Sequence, residues 1–198
     1  MARATIYLLP LLILTLLYLS GTAEPASSTA AASSLNFIKA SCSATRYPAL
    51  CVKSLSNYAS AIQKSPRQLA QTALNVSLTR AESTRKFVTK LTKFKGLKSR
   101  EYAAIRDCLE EIGDSVDRLS KSIGELKHMG KAHGPDFLWH MSNVETWVSA
   151  ALTDESTCMD GFAGRALDGR IKTSIRAWVT HVAQVTSNAL ALVNQLAA

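Results

Sequence analysis

Four cysteines carry the most distinctive chemistry in this chain. Cys42, Cys51, Cys108 and Cys158 all lie beyond an apolar N-terminal run. An even thiol count in an exported chain points to two disulfides with no free thiol. No Cys-x-x-Cys pair occurs, and His128, His133, His140 and His181 make no metal-ligand spacing with the thiols. No Ser/His/Asp or Cys/His arrangement for nucleophilic catalysis is visible. The chain therefore reads as a non-enzyme with no cofactor and no metal. The four thiols allow three pairings, and Cys42 and Cys51, with eight residues between them, are the locally available pair.

The charged residues fall in two groups. Glu110, Glu111, Asp114 and Asp117 lie in one predicted helix, and Asp154, Glu155 and Asp160 in the next. Such carboxylates ordinarily form a solvated helix face. They can also form an acidic strip that meets basic residues on a protein partner. Arg80, Arg85, Lys86, Lys90, Lys93, Lys95, Lys98 and Arg100 make the opposite group, with Glu82 the one acid among them. The formal net charge of the 198-residue chain is +8.

The elements that must position these residues begin with a targeting segment. Met1-Ala-Arg3 is short and basic, Ile6 to Leu19 is almost wholly apolar, and Gly21-Thr-Ala23 offers small residues for cleavage. Residues 1–23 thus read as a secretory signal peptide, too short for a membrane span. Residues 24–34, rich in Ala, Ser and Thr, read as a flexible leader. Residues 35–60 read as a helical hairpin stapled by Cys42–Cys51, with Pro48 in the first turn of its second arm.

Residues 65–197 read as a bundle of four long helices. The first opens at Ser65-Pro-Arg-Gln68, where Ser65 can cap and Pro66 suits the first helical position. Its apolar stripe runs through Leu69, Ala73, Val76, Ser83, Phe87, Leu91 and Phe94, and Gly96 ends it. The second starts near Ser99 with the clearest seam: Tyr102, Ile105, Leu109, Ile112, Val116, Leu119, Ile123 and Leu126. The third starts at Asp136 or at Ser142 and steps through Val144, Trp147 or Val148, Ala151, Glu155, Cys158 and Phe162. The fourth starts near Asp168 and carries Ile171, Ile175, Trp178, Val182, Val185, Ala189, Leu192 and Leu196. No stretch alternates as a strand would. The expected fold is all-α, an up-down-up-down four-helix bundle with an N-terminal hairpin and two disulfides. In that layout Cys108 faces Cys158, and the bridge closes a loop of about fifty residues, worth roughly 4 kcal/mol.

Three segments resemble the plant invertase and pectin methylesterase inhibitor family. These are Cys42-x8-Cys51 with Tyr47-Pro48 inside it, Asp107-Cys-Leu-Glu110 continuing to Asp114-Ser-Val-Asp117, and Thr146-Trp-Val-Ser-Ala-Ala-Leu-Thr153 followed by Thr157-Cys-Met-Asp-Gly-Phe162. Their order and spacing cover nearly all of the chain beyond Cys42. The resemblance implies a helical bundle that covers the active-site cleft of a pectin methylesterase in the plant cell wall. An acid invertase is the alternative target. The invertase branch carries a Pro-Lys-Phe element before its third-helix cysteine, which this chain does not have. The resemblance also turns Asp114, Asp117 and Asp154 into candidates for the target interface. The basic stretch is read as a means of retention on wall polygalacturonate, or as the whole activity of a non-inhibitory wall protein. Nucleic acid is an unsuited partner for an exported chain with no reader motif. Asn75-Val-Ser77 is a sequon for glycosylation, placed inside a predicted helix.

Overall fold

The computed structural model describes residues 26–130 and 134–197. The expected signal peptide, residues 1–23, lies outside the described residues. Helix α1 (Ala26–Cys42) is followed by α2 (Pro48–Leu55), a 3-10 turn (Ser56–Tyr58) and the single turn α3 (Ala59–Ile62). Four long helices complete the chain: α4 (Pro66–Leu91), α5 (Ser99–His128), α6 (Pro135–Asp160) and α7 (Arg170–Ala197). No strand occurs among the described residues.

The leader expectation is overturned between Ala26 and Ser34, which form the first half of α1. Alanine is the strongest helix former, and no Gly or Pro interrupts this run. Packing then fixes its far end, where Ser34 and Ile38 are buried. Ala30, Ala31 and Ala32 of this half remain exposed, so helix propensity rather than burial accounts for it.

The hairpin is docked onto the bundle. Cys42 and Cys51 are bonded. Tyr47 N–H donates to Asn188 Oδ1, and Asn188 Nδ2 donates back to Tyr47 O, each at 3.0 Å. One buried amide on α7 therefore satisfies both backbone groups of the residue preceding Pro48. Gln195 Nε2 adds a bond to Ser41 O at 3.2 Å. Ile38, Leu55 and Ile62 share one apolar core with Leu74 of α4 and Leu192 of α7.

The long helices pack in chain order, and α4 also meets α7, which closes the four-membered ring. Cys108 of α5 and Cys158 of α6 are bonded across a Cα–Cα distance of 4.3 Å. Helix α6 begins at Pro135, so Ser142 lies in its interior. Ser65 Oγ accepts from Gln68 N–H at the start of α4. Arg67, in the same first turn, reaches across to the end of α5. Its guanidinium donates to the carbonyls of Leu126, Met129 and Gly130 at 2.7, 2.6 and 3.0 Å. These are carbonyls that a helix end leaves without intrahelical donors.

Two apolar stripes differ from expectation. On α4 the buried face is Leu69, Ala70, Ala73, Leu74, Ser77, Ala81, Thr84, Val88 and Leu91, while Phe94 is 63% exposed. The large residues Val76 and Phe87 flank that face. Small Ala, Ser and Thr side chains let α4 approach the bundle closely, and their hydroxyls bond within the helix, as Ser77 Oγ does to Ala73 O. On α7, Val179 takes the core position beside Trp178, which is 42% exposed and stacks on Phe87 at 4.7 Å.

Candidate functional site

The acidic candidates lie on the α5–α6 pair, which shares the largest helix–helix contact of the bundle. Helix α5 presents Glu110, Asp114 and Asp117 to solvent, because its core face is taken by Ile105, Cys108, Ile112, Ser115, Val116 and Leu119. Asp114 and Asp117 border a shallow groove toward α4, shared with Arg85 and Arg106. The Arg85 guanidinium lies 3.8 Å from where a Cβ on Gly113 would stand. This strip is therefore mixed in sign, with two arginines beside its carboxylates. A partner surface that complements it must offer both charges.

Asp154 does not belong to that exposed strip, and the expectation of a solvent-facing carboxylate is corrected. It is 6% exposed, and its Oδ2 sits 2.6 Å from Arg118 Nε of α5. Asp114 approaches the same guanidinium at 3.8 Å from the other side. Burial pushes the Asp154 carboxyl up to about 6; Arg118 opposes that rise, and Glu111 and Asp114 add to it. Asp154 therefore holds Arg118 in place between the helices, and it is Asp114 that remains exposed beside them. The sequence pattern missed this because residue 154 precedes the stripe residue Glu155 and sits at the edge where α6 turns toward α5.

Glu155 is the deeper anomaly. It is fully buried among three helices, and its Oε1 accepts from Ser115 Oγ at 2.8 Å and Thr186 Oγ1 at 3.0 Å. Burial pushes its carboxyl up to about 8, against the two hydroxyl donors. At mildly acidic pH it is a neutral acid whose role is to join α5, α6 and α7. Its place on the apolar stripe is visible in the sequence; its partners Ser115 and Thr186 are not.

The outward face of α6 is a row of small polar groups. Thr146, Ser149, Thr153, Thr157 and Asp160 are exposed at steps of three or four residues. The Thr153 and Thr157 hydroxyls donate to Ser149 O and Thr153 O at 3.1 and 3.0 Å, which leaves the ridge low and unencumbered. Beside it Trp147 is half-buried under Lys121, whose Nζ stands 4.6 Å from the ring centroid, while Val148 fills the core position. Trp139, near the start of α6, is 61% exposed.

The histidines are dispersed. His140 Nδ1 pairs with Glu125 Oε2 at 2.6 Å, and His128 Nδ1 lies 2.7 Å from Gly124 O. His181 is pushed below its ordinary value by burial and by Arg80 and Lys53. His133 lies outside the described residues. No group of His, Cys, Asp or Glu among the described residues could hold a metal ion. Asn75 is exposed on α4, but Ser77 of its sequon is buried, so any glycan there is added before the helix packs.

Comparison with known proteins identifies this architecture. The family model described as plant invertase/pectin methylesterase inhibitor matches residues 36–192. Pectinesterase inhibitor 11 of Arabidopsis thaliana is 52% identical over 199 aligned residues, covering 100% of this chain and 98% of that protein. A 21 kDa protein of Daucus carota is 62% identical, covering 85% of this chain and 87% of its own. The crystal structure of a mutant form of a pectin methylesterase inhibitor from Arabidopsis superposes with a TM-score of 0.62 at 23% identity, over 77% of this chain and 92% of that one. The chain is thus a member of the plant invertase/pectin methylesterase inhibitor family.

Proposed function

We propose that this protein is a secreted inhibitor of pectin methylesterase. The identity of half or more with two proteins named pectinesterase inhibitors, along nearly the whole chain, carries the reading. Inhibition is reversible and non-covalent: the α5–α6 ridge occupies the active-site cleft and denies it to pectin. The geometry supports that assignment. Disulfide Cys108–Cys158, the Arg118–Asp154 ion pair and the Glu155 network hold α5 and α6 as one rigid unit, which limits the ordering cost of binding. The low ridge Ser149–Thr153–Thr157 fits a narrow cleft, and Asp114, Asp117, Arg85 and Arg106 supply charges of both signs in the α4–α5 groove. In the extracellular wall, the result is that pectin keeps its methyl esters.

Substitution on the ridge tests this reading. Thr153→Arg, on an exposed position, is expected to raise the inhibition constant against a susceptible esterase at least tenfold with an unchanged helical spectrum. Asn75→Gln, on α4, serves as the control and is expected to leave inhibition intact. Full inhibition by the folded Thr153→Arg variant would remove α6 from the interface.

A further inference from the structure

The end of the bundle away from the hairpin's disulfide carries a groove that the inhibitory ridge does not use. Its floor is Leu91, Leu97 and Ile171, and it holds about 470 Å³. The turn between α4 and α5 forms one wall, held open by Gly96 in the left-handed region at φ 85°. The first turn of α7 forms the other. Three features converge there from separate parts of the chain. Phe94 is 63% exposed, a large aromatic with most of its surface in water. Lys95 and Arg170 are exposed on opposite walls. Neither cation is held by an ion pair among the described residues, whereas nearby Lys172 is, by Asp168 and the carbonyls of Ala163 and Gly164. One acid also lines the groove: Glu101, whose Oε2 accepts from Lys98 N–H at 2.9 Å.

An exposed aromatic face flanked by two free cations has a definite ligand chemistry. The electron-rich ring face accepts the polarised C–H groups of a pyranose. The cations, each with its donors unspent, attract carboxylates. We propose that this groove binds a galacturonate saccharide, with a sugar ring on Phe94 and neighbouring uronate carboxylates on Lys95 and Arg170. The inference rests on the reading that the protein acts on pectin methylesterase. Ester hydrolysis by that enzyme turns neutral methyl esters into free carboxylates, so the groove recognises the product of the enzyme that the ridge blocks. The inhibitor is thereby concentrated where de-esterification has already occurred. Glu101 disfavours polyanions of denser charge, and the small apolar floor is sunk in a groove, which does not suit a membrane surface.

The test is binding of the oxidised mature protein to a defined oligogalacturonate of about ten residues, with its fully methyl-esterified counterpart, a single-stranded DNA decamer and anionic phosphatidylserine vesicles as competitors. Esterase inhibition is measured on the same samples. Lys95→Glu/Arg170→Glu is expected to lower affinity for the oligogalacturonate at least tenfold, and Phe94→Ala about threefold or more. Lys64→Glu/Lys127→Glu, which changes the charge equally at the other end of the bundle, is expected to lower it less than twofold. Methyl-esterified saccharide should not compete. Equal losses in the two charge variants, no effect of Phe94→Ala, or tighter binding of DNA or vesicles than of the uronate would overturn the proposal. Inhibition retained while the groove variants lose uronate is the expected pattern. Uronate binding without inhibition in the native chain would instead refute the esterase reading and leave the groove standing.

Discussion

The buried carboxyl of Glu155 makes the fold itself sensitive to pH in a way that one isosteric substitution exposes. An unfolded chain loses this proton near the ordinary value of 4.5, and the folded chain keeps it to about 8. Between those limits the folded state binds the extra proton, so stability is fullest below pH 4.5 and falls as pH rises. The slope approaches about 1.4 kcal/mol per pH unit inside the window. From pH 5 to pH 7 the loss is roughly 2–3 kcal/mol, a large share of the ~5–15 kcal/mol that stabilises a domain. In a chain of this size, that is a fall of about 5–12 °C in Tm. Glu155→Gln keeps the Oε1 acceptor for Ser115 and Thr186 but cannot ionise. Its amide leaves a buried N–H without a partner, which costs about 1–2 kcal/mol. The variant is therefore expected to be less stable than wild type at pH 5 and more stable at pH 7.5, so the two stability curves cross. Urea unfolding of both proteins at half-unit steps, with the disulfides intact, measures this directly. Asp154, pushed up to about 6, adds a fall of the same sign over lower pH, and His181, pushed down, acts in the opposite sense. Both are present in wild type and variant, so the difference between the curves reports on residue 155 and its coupling to Asp154. Parallel curves would refute the account of Glu155 as a neutral buried acid.

Other expectations follow from named contacts. Arg118→Ala strands the Asp154 carboxyl 6% exposed and without its counterion; thermal unfolding at pH 7 should show a loss of about 3–5 kcal/mol, and adding Asp154→Asn should restore part of it. Arg67→Ala removes three bonds to the end of α5; urea titration should show about 1–3 kcal/mol less stability, and hydrogen exchange should rise first at residues 124–130. Gly124→Ala meets nothing within 4 Å and removes a poor helix former from the interior of α5, so stability should increase by up to about 1 kcal/mol, read as a higher urea midpoint.

How much of this was legible in the sequence depended on how strongly each element was patterned. Helix α5 was visible because large aliphatic residues repeat every three or four positions with charged residues between them, and its start at Ser99 matches the expectation. The α6 stripe was equally visible, and the ambiguity between Trp147 and Val148 is settled by the smaller residue filling the core. Helix α4 was found as an element with part of its stripe right: Leu69, Ala73 and Leu91 are buried, while Val76, Ser83, Phe87 and Phe94 are not. Its core side mixes Leu and Val with Ala, Ser and Thr, which hydrophobic patterning undervalues, while Phe87 and Phe94 draw the pattern outward. The first half of α1 was hidden because its Ala, Ser and Thr residues carry no apolar stripe. At the candidate interface, Asp114 and Asp117 were legible as outward carboxylates, but Asp154 was not legible as buried. Its partner Arg118 is 36 residues away in sequence, and only the packing of α5 on α6 brings them together. The Asn188 bridge to Tyr47 and the Arg67 cap are likewise long-range polar contacts that periodicity does not encode.

Occupation of the esterase cleft is the crux of the proposed mechanism. Its most direct test is steady-state kinetics of a plant pectin methylesterase with methylated pectin, titrated with the oxidised mature protein, and an acid invertase assayed in parallel. The account predicts that inhibition weakens as pectin concentration rises, that activity returns on dilution, and that invertase is unaffected. Inhibition that is independent of pectin concentration would contradict occupation of the cleft. An unaffected esterase beside an inhibited invertase would assign the chain to the other target of its family.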